Sequence, residues 1–157
     1  MRLGYEKAFN DQIKYIIELM EHEFYVVHRD TKIKCTCLQE GTGQANPSCK
    51  KCLGTGYKIK IGKEKGATQM TDLPPTSHRG AGIITNFDYY IKQPTKVKRG
   101  DYIVELDDNR VLLVNETQRL NSFKAEKVFF KANCVIKKTD HDLFLKNFKE
   151  IIGGIKK

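Results

Sequence analysis

The sequence has no tryptophan, only four prolines, and no apolar run approaching the ~20 residues of a membrane-spanning helix. No membrane partner is therefore expected. The opening residues, MRLGYEKAFNDQ, lack the apolar segment and small-residue cleavage site of a secretory signal. A reducing compartment is the expectation, and disulfides are the weaker reading of the cysteines. Collagen-like, coiled-coil and low-complexity classes fail on composition. There is also no Walker loop, no G-x-G-x-x-G, no G-x-S-x-G and no H-E-x-x-H. No grouping of Asp, Glu and His has the look of a nuclease metal site. The chain reads as non-enzymatic, with no small-molecule substrate.

What is present fits one domain with appendages: 157 residues, with seven Tyr and eight Phe among many Val and Ile. Twenty-eight Lys and Arg against 19 Asp and Glu leave a net charge of +9. That balance favours polyanions or acidic proteins as partners, though on its own it is a weak sign.

The cysteines are more specific. Cys35, Cys37, Cys49 and Cys52 form a C-x-C-x11-C-x-x-C run, and Cys134 stands far away in an apolar stretch, Ala132 to Ile136, as a small buried hydrophobe would. Two close thiolate pairs joined by about a dozen residues suit a tetrahedral four-sulfur zinc site. Reduced structural cysteines and a redox dithiol are the alternatives, the latter without the surrounding βαβ pattern it needs. Cys49-Lys50-Lys51-Cys52-Leu53-Gly54-Thr55-Gly56 is the sharper half. Its glycines permit positive φ and let backbone amides approach the sulfurs. A site of four cysteines is closed to water, so its zinc would be structural. His28 could replace one ligand, but also reads as an ordinary strand histidine.

Hydrophobic spacing predicts an α+β, mainly β fold: a small β-barrel or sandwich carrying the knuckle loop, with a helix at each end. Residues 1–22 hold an amphipathic helix with Tyr5, Phe9, Ile13, Ile16, Ile17 and Met20 on one stripe. Residues 23–61 read as strands bearing the knuckle, with a turn at Asp30-Thr31. Residues 62–82, rich in Gly, Pro, Ser and Thr, read as an extended connection, either an arm on a neighbouring subunit or a surface loop. Residues 83–136 read as the barrel core, with Asp107-Asp108-Asn109 as a hairpin turn and a polar stretch from Asn115 ending in a loop. Residues 137–157 read as a helix with Leu143, Phe144, Phe148, Ile151 and Ile152 on one side, ended by Gly153-Gly154 and followed by a basic tail. Arg99-Gly100-Asp101 spells an adhesion tripeptide, but a glycine turn leading into a strand explains it.

Two stretches carry a resemblance. His28-Arg29-Asp30, followed by Cys35-Thr36-Cys37 and then Cys49 through Tyr57, resembles the zinc-knuckle loop of a group of tailed-bacteriophage structural proteins, where C-x-x-C-x-G-T-G-[FY] follows an arginine-bearing strand. Lys98-Arg99-Gly100-Asp101-Tyr102-Ile103-Val104 with Arg110-Val111-Leu112-Leu113-Val114 is similar to a hairpin of phage head-closure (stopper) and neck proteins. The first cysteine pair departs from the pattern in being C-x-C. A single knuckle separates the chain from the fourfold repeats of DnaJ-type chaperones.

The resemblance implies a virion protein of the neck, assembled in the host cytoplasm. It would form a homo-oligomeric ring of the head–tail connector, meeting portal or adaptor and tail proteins, with DNA passing through. Lys58, Lys60, Lys63 and Lys65, and separately Lys92, Lys96, Lys98 and Arg99, would then line the channel without reading sequence, or meet an acidic partner. Solvated strand faces are the plainer account of these cations. The alternative function is a zinc-ribbon nucleic-acid-binding protein of phage transcription or replication.

Overall fold

The computed structural model describes residues 2–73, 84–92, 96–121 and 127–155. It consists of α1 (Arg2–Leu19), β1 (His22–Lys34), β2 (Tyr57–Leu73), β3 (Ile84–Lys92), β4 (Tyr102–Glu105), β5 (Arg110–Asn121), β6 (Lys127–Ile136) and α2 (His141–Ile155). The six strands close into a barrel in the order β1-β2-β3-β6-β5-β4, every pair antiparallel. Among the described residues no helix is long and apolar enough to cross a membrane.

Period-two alternation sorts the side chains into two cores. Phe24, Val26, Phe87, Tyr89, Ile91, Ile103, Leu112, Val114, Phe130, Ala132 and Cys134 fill the barrel. The opposite faces of β1, β4 and β5 offer Val27, Val104 and Val111 outward, where α2 covers them with Phe144, Leu145 and Phe148. α2 carries the stripe its spacing predicts, with Phe144 and Phe148 buried and Leu143, Ile151 and Ile152 half-buried. Its glycines do not stop it: the helix runs through Gly153 and Gly154 to Ile155. The hairpin at 107–109 turns as expected, with Asn109 at φ 51°.

The expected boundaries shift in four places. The barrel is not confined to 83–136, because β1 and β2 supply two of its six staves. The extended connection of 62–82 is overturned over its first half: β2 continues to Leu73, while residues 74–82 lie outside the described residues. Asp30-Thr31 is a register irregularity within one continuous β1, not a turn. β5 likewise passes a bulge at Asn115 and pairs with β6 as far as Asn121.

Gly66 explains why the glycines around it mislead. It is the pivot at which β2 leaves β1 for β3, facing both His22 and Ile91. A Cβ there would lie 2.5 Å from the Tyr90 carbonyl and 3.2 Å from the Phe24 ring. Glycine is thus required by close backbone approach inside a strand.

Among the described side chains, α1 meets the barrel where Ile17 packs on Ala67 and Tyr90. The expected stripe is only partly realised. Ile17 is buried, but Ile16 and Met20 are exposed, as are Tyr15 and Leu19. The side chains of Tyr5, Phe9 and Ile13 lie outside those described.

Glu105 places a carboxylate inside the barrel. Glu105, 3% exposed, accepts from the Tyr89 hydroxyl (2.5 Å), pairs with His22 Nε2 (2.9 Å) and is gripped by the Arg110 guanidinium. Burial pushes its carboxyl up, but the bonds from Tyr89, His22 and Arg110 outweigh it and hold the pKa below the ordinary value. Burial and the Glu105 carboxylate raise the Tyr89 phenol in turn.

Gly66→Ala is expected to cost about 1–3 kcal/mol through overpacking at the pivot, read from a denaturant melt. Glu105→Gln is expected to cost about 2 kcal/mol at neutral pH by weakening charged hydrogen bonds. Because the native pKa of Glu105 is depressed, its contribution is full above the unfolded value and fades as pH falls through the lower native one. The stabilities of wild type and variant should therefore converge on acidification, measured by urea melts at several pH values.

Candidate metal centre

β1 and β2 project past the barrel as a two-stranded ribbon, and residues 35–56 form its tip. The Cys35 N–H donates to the Gly56 carbonyl (2.8 Å), one step beyond the Lys34–Tyr57 pair. The ribbon therefore delivers both ends of the loop to one place. Within it, the Cys49 N–H donates to the Asn46 carbonyl (3.0 Å) and the Ser48 N–H to Asn46 Oδ1 (2.9 Å), an Asx turn that presents Cys49. The chain then reverses through Leu53, Gly54 and Gly56, at φ 53°, 75° and 78°. Thr55 locks the reversal, its hydroxyl donating to the Cys52 carbonyl (2.7 Å).

These turns gather the four predicted ligands. The sulfurs of Cys35, Cys37, Cys49 and Cys52 all lie within 4.8 Å of one another, with Cys35 to Cys49 at 3.8 Å and Cys37 to Cys52 at 3.4 Å. None is disulfide-bonded. Metal–sulfur bonds of about 2.3 Å in a tetrahedron put sulfurs about 3.8 Å apart. The cluster has the size and donor set to hold a metal ion.

The surroundings treat the sulfurs unequally. Burial pushes the Cys49 thiol up, but the Cys52 and Lys51 amides and the Cys37 thiol bring it down to about 7. Burial and the neighbouring thiols push Cys52 up to about 12, against the pull of the Gly56 amide. Burial also raises Cys37. Backbone amides thus point at the sulfurs, as the knuckle glycines allow, and would stabilise thiolates on a bound ion.

Histidine and the lone cysteine are elsewhere. His28 Nδ1 lies 3.1 Å from Asp101 Oδ2 and is no part of the cluster. Cys134 is fully buried in the barrel core. The adhesion tripeptide is closed off, since Asp101 is 3% exposed and Gly100 turns at φ 89°.

The knuckle does not simply hang from its strands. Leu53, 2% exposed, inserts beside Val27, Val104, Val111, Phe144 and Phe148. Lys50 Nζ meets Glu150 Oε2 of α2 at 2.5 Å. The loop is thereby fastened to the layer between barrel and α2. Sequence reading missed this role, although an isolated leucine next to two glycines in a polar loop was its signal.

The eight candidate cations do not form one surface. Lys58 and Lys60 oppose Asp30 and His28, on the face continuous with the barrel interior. Lys63 and Lys65 oppose Tyr25 and Glu23 on the outer face, and Lys63 pairs with Glu23 at 2.6 Å. The register is unbroken between them, so the change of face is simple alternation along the strand. Lys96, Lys98 and Arg99 are exposed in the turn before β4; Lys92 ends β3, its side chain outside those described. No protein-family model matches the chain, and no curated protein matches it.

Chelating protein loaded with a thiophilic metal ion is expected to raise hydrogen exchange across 35–57 while the barrel strands stay protected. Cys52→Ser should reproduce the effect, and Leu53→Ala should cost about 2–5 kcal/mol with the metal still bound.

Proposed function

We propose that this chain is a non-enzymatic virion structural protein of a tailed phage, a zinc-stapled barrel that assembles into a homo-oligomeric ring of the head–tail connector through which DNA passes. The observation that carries the reading is the four-sulfur knuckle at the tip of the β1–β2 ribbon, in the C-x-x-C-x-G-T-G-Y context of Cys49 to Tyr57 that resembles connector proteins. Zinc is the ion this donor set suits in a protein without redox need: four thiolates, tetrahedral and coordinatively closed. A closed site leaves no position for substrate or water, so its effect is mechanical. It stiffens a polar loop that has few apolar side chains of its own.

A ring also needs a lateral surface. On α1, Tyr15, Ile16, Leu19 and Met20 are 63%, 53%, 67% and 59% exposed, a cluster of large apolar groups such as buried interfaces draw on. In this reading a neighbouring copy covers them, and portal or adaptor and tail proteins meet the two ends of the ring. A second reading, a zinc-ribbon nucleic-acid-binding protein, is favoured by Lys58, Lys60, Lys96, Lys98 and Arg99. These are exposed and have no ion-pair partner among the described residues.

Zinc-loaded protein should sediment as a closed species of one stoichiometry, visible as rings by electron microscopy, and should dock on a portal ring. Leu19→Glu should leave the fold intact and give monomers. A chain that stays monomeric with and without the portal would refute the connector reading. Sequence-specific duplex binding persisting at ~0.3 M salt would establish the second, since counterion-driven contacts weaken steeply with salt.

A further inference from the structure

Arg29 carries a charge that has no counterpart among the described residues. Its backbone N–H donates to Asp101 Oδ1 (3.1 Å), but its guanidinium makes no hydrogen bond or ion pair with any described residue, and its Nε is fully buried and unpaired. The group is nonetheless held in place. The Tyr57 ring lies 5.6 Å from Cζ, and Gly100 lies against the guanidinium so closely that a Cβ there would collide with Nη2. The adjacent carboxylate cannot serve it. Asp101 is buried and its two oxygens already meet the Lys98 N–H (2.9 Å), the Arg29 N–H (3.1 Å) and His28 Nδ1 (3.1 Å).

A half-buried guanidinium fixed by an aromatic face and a glycine, with its donors unspent, is a preformed seat for an oxyanion. We propose that Arg29 is an anion-binding residue and that its ligand is the phosphodiester backbone of nucleic acid. The surroundings favour that repeating anion over a lone carboxylate. Lys96, Lys98 and Arg99 lead directly into Gly100, all exposed and none ion-paired among the described residues, whereas Lys58 and Lys60 lie on the other face of the ribbon. Asp30, the next carboxylate along β1, already accepts the Lys32 N–H (3.0 Å). Such contacts position a backbone without reading bases, so binding is sequence-independent. Arg29 lies outside the cations singled out from the sequence, and its role does not require ring assembly.

The test uses the full zinc-loaded chain and a labelled short duplex of mixed sequence, titrated by fluorescence anisotropy at ~0.1 M salt. Arg29→Gln is expected to weaken binding about tenfold and to make the salt dependence shallower by about one phosphate contact, with Arg29→Lys intermediate because it keeps charge but loses the fork. In wild-type protein the Arg29 Nε–Hε resonance, assigned by its loss in Arg29→Lys, should move and saturate as duplex is added. This reading does not depend on the variants folding. An unmoved resonance at saturating duplex, equal affinity of folded Arg29→Gln, or an acidic peptide that displaces the duplex from Arg29 would each overturn the proposal. Arg29-dependent binding by a chain that never forms rings would sustain it while removing the connector reading; rings with a silent Arg29 would do the reverse.

Discussion

The barrel closes through its shortest ladder. β1 and β4 pair over only three residues each, Tyr25 with Val104, Val26 with Ile103 and Val27 with Tyr102. Three pairs are a slender closure for a six-stranded sheet, and the structure reinforces them from both ends. At one end, the Asp101 carboxylate takes the Arg29 and Lys98 amides and His28, extending the join by side-chain bonds where backbone pairing has run out. At the other, Glu105 ties β4 to β1 through His22, to β3 through Tyr89 and to β5 through Arg110. Both carboxylates are buried and both are fully engaged, the condition under which a buried charge is tolerable. α2 then seals the outer face of the same join with Phe144 and Phe148 over Val27 and Val104.

The knuckle follows from this closure. β1 stops pairing with β4 at Val27 but continues with β2, so the ribbon leaves the barrel beside the join that α2 covers. Leu53 can reach that layer only if the chain reverses after Cys52, and the reversal puts a leucine at φ 53°, a conformation side chains rarely adopt. Cys52, the last residue of the sulfur cluster, immediately precedes this turn, and the Thr55 hydroxyl closes it on the Cys52 carbonyl. The cluster and the packing of Leu53 are therefore adjacent parts of one loop: a metal held by the sulfurs would fix Cys52, and the turn after it seats the side chain that fastens the knuckle to the body.

Much of this was legible in the residues. The reading of residues 23–61 as strands bearing the knuckle, helical spacing in Leu143–Ile152 and the cysteine run all translate directly into strands, helix and cluster. The failures have physical causes. Glycine was read as punctuation at 62 and 66, whereas inside a barrel it marks where a strand bends or a backbone comes close, and Gly66 does so against Tyr90. Gly153-Gly154 fail to end α2. The cations were grouped by nearness in sequence, although face alternates with every residue and 58 and 63 have opposite parity. Buried charge was the least visible. Glu105 follows Ile103 at the inward spacing, but nothing local announces that Tyr89, His22 and Arg110 converge on it from three other strands.

The two ends of the chain are built for different kinds of contact. Among its described side chains α1 buries only Ile17, against β2 and β3, and turns Tyr15, Ile16, Leu19 and Met20 outward. α2 does the opposite, burying Phe144, Leu145 and Phe148 and exposing Lys146, Lys149 and Glu150. A helix that buries its apolar face draws stability from its own barrel, while one that exposes it can lower its free energy only by meeting another surface. The cations without an ion-pair partner among the described residues gather around Gly100 and the ribbon, a region where the described apolar side chains are few. Apolar contact at α1 and electrostatic contact at the ribbon are thus separable in this fold: salt would weaken the second and leave the first, so assembly and anion binding need not compete for the same residues.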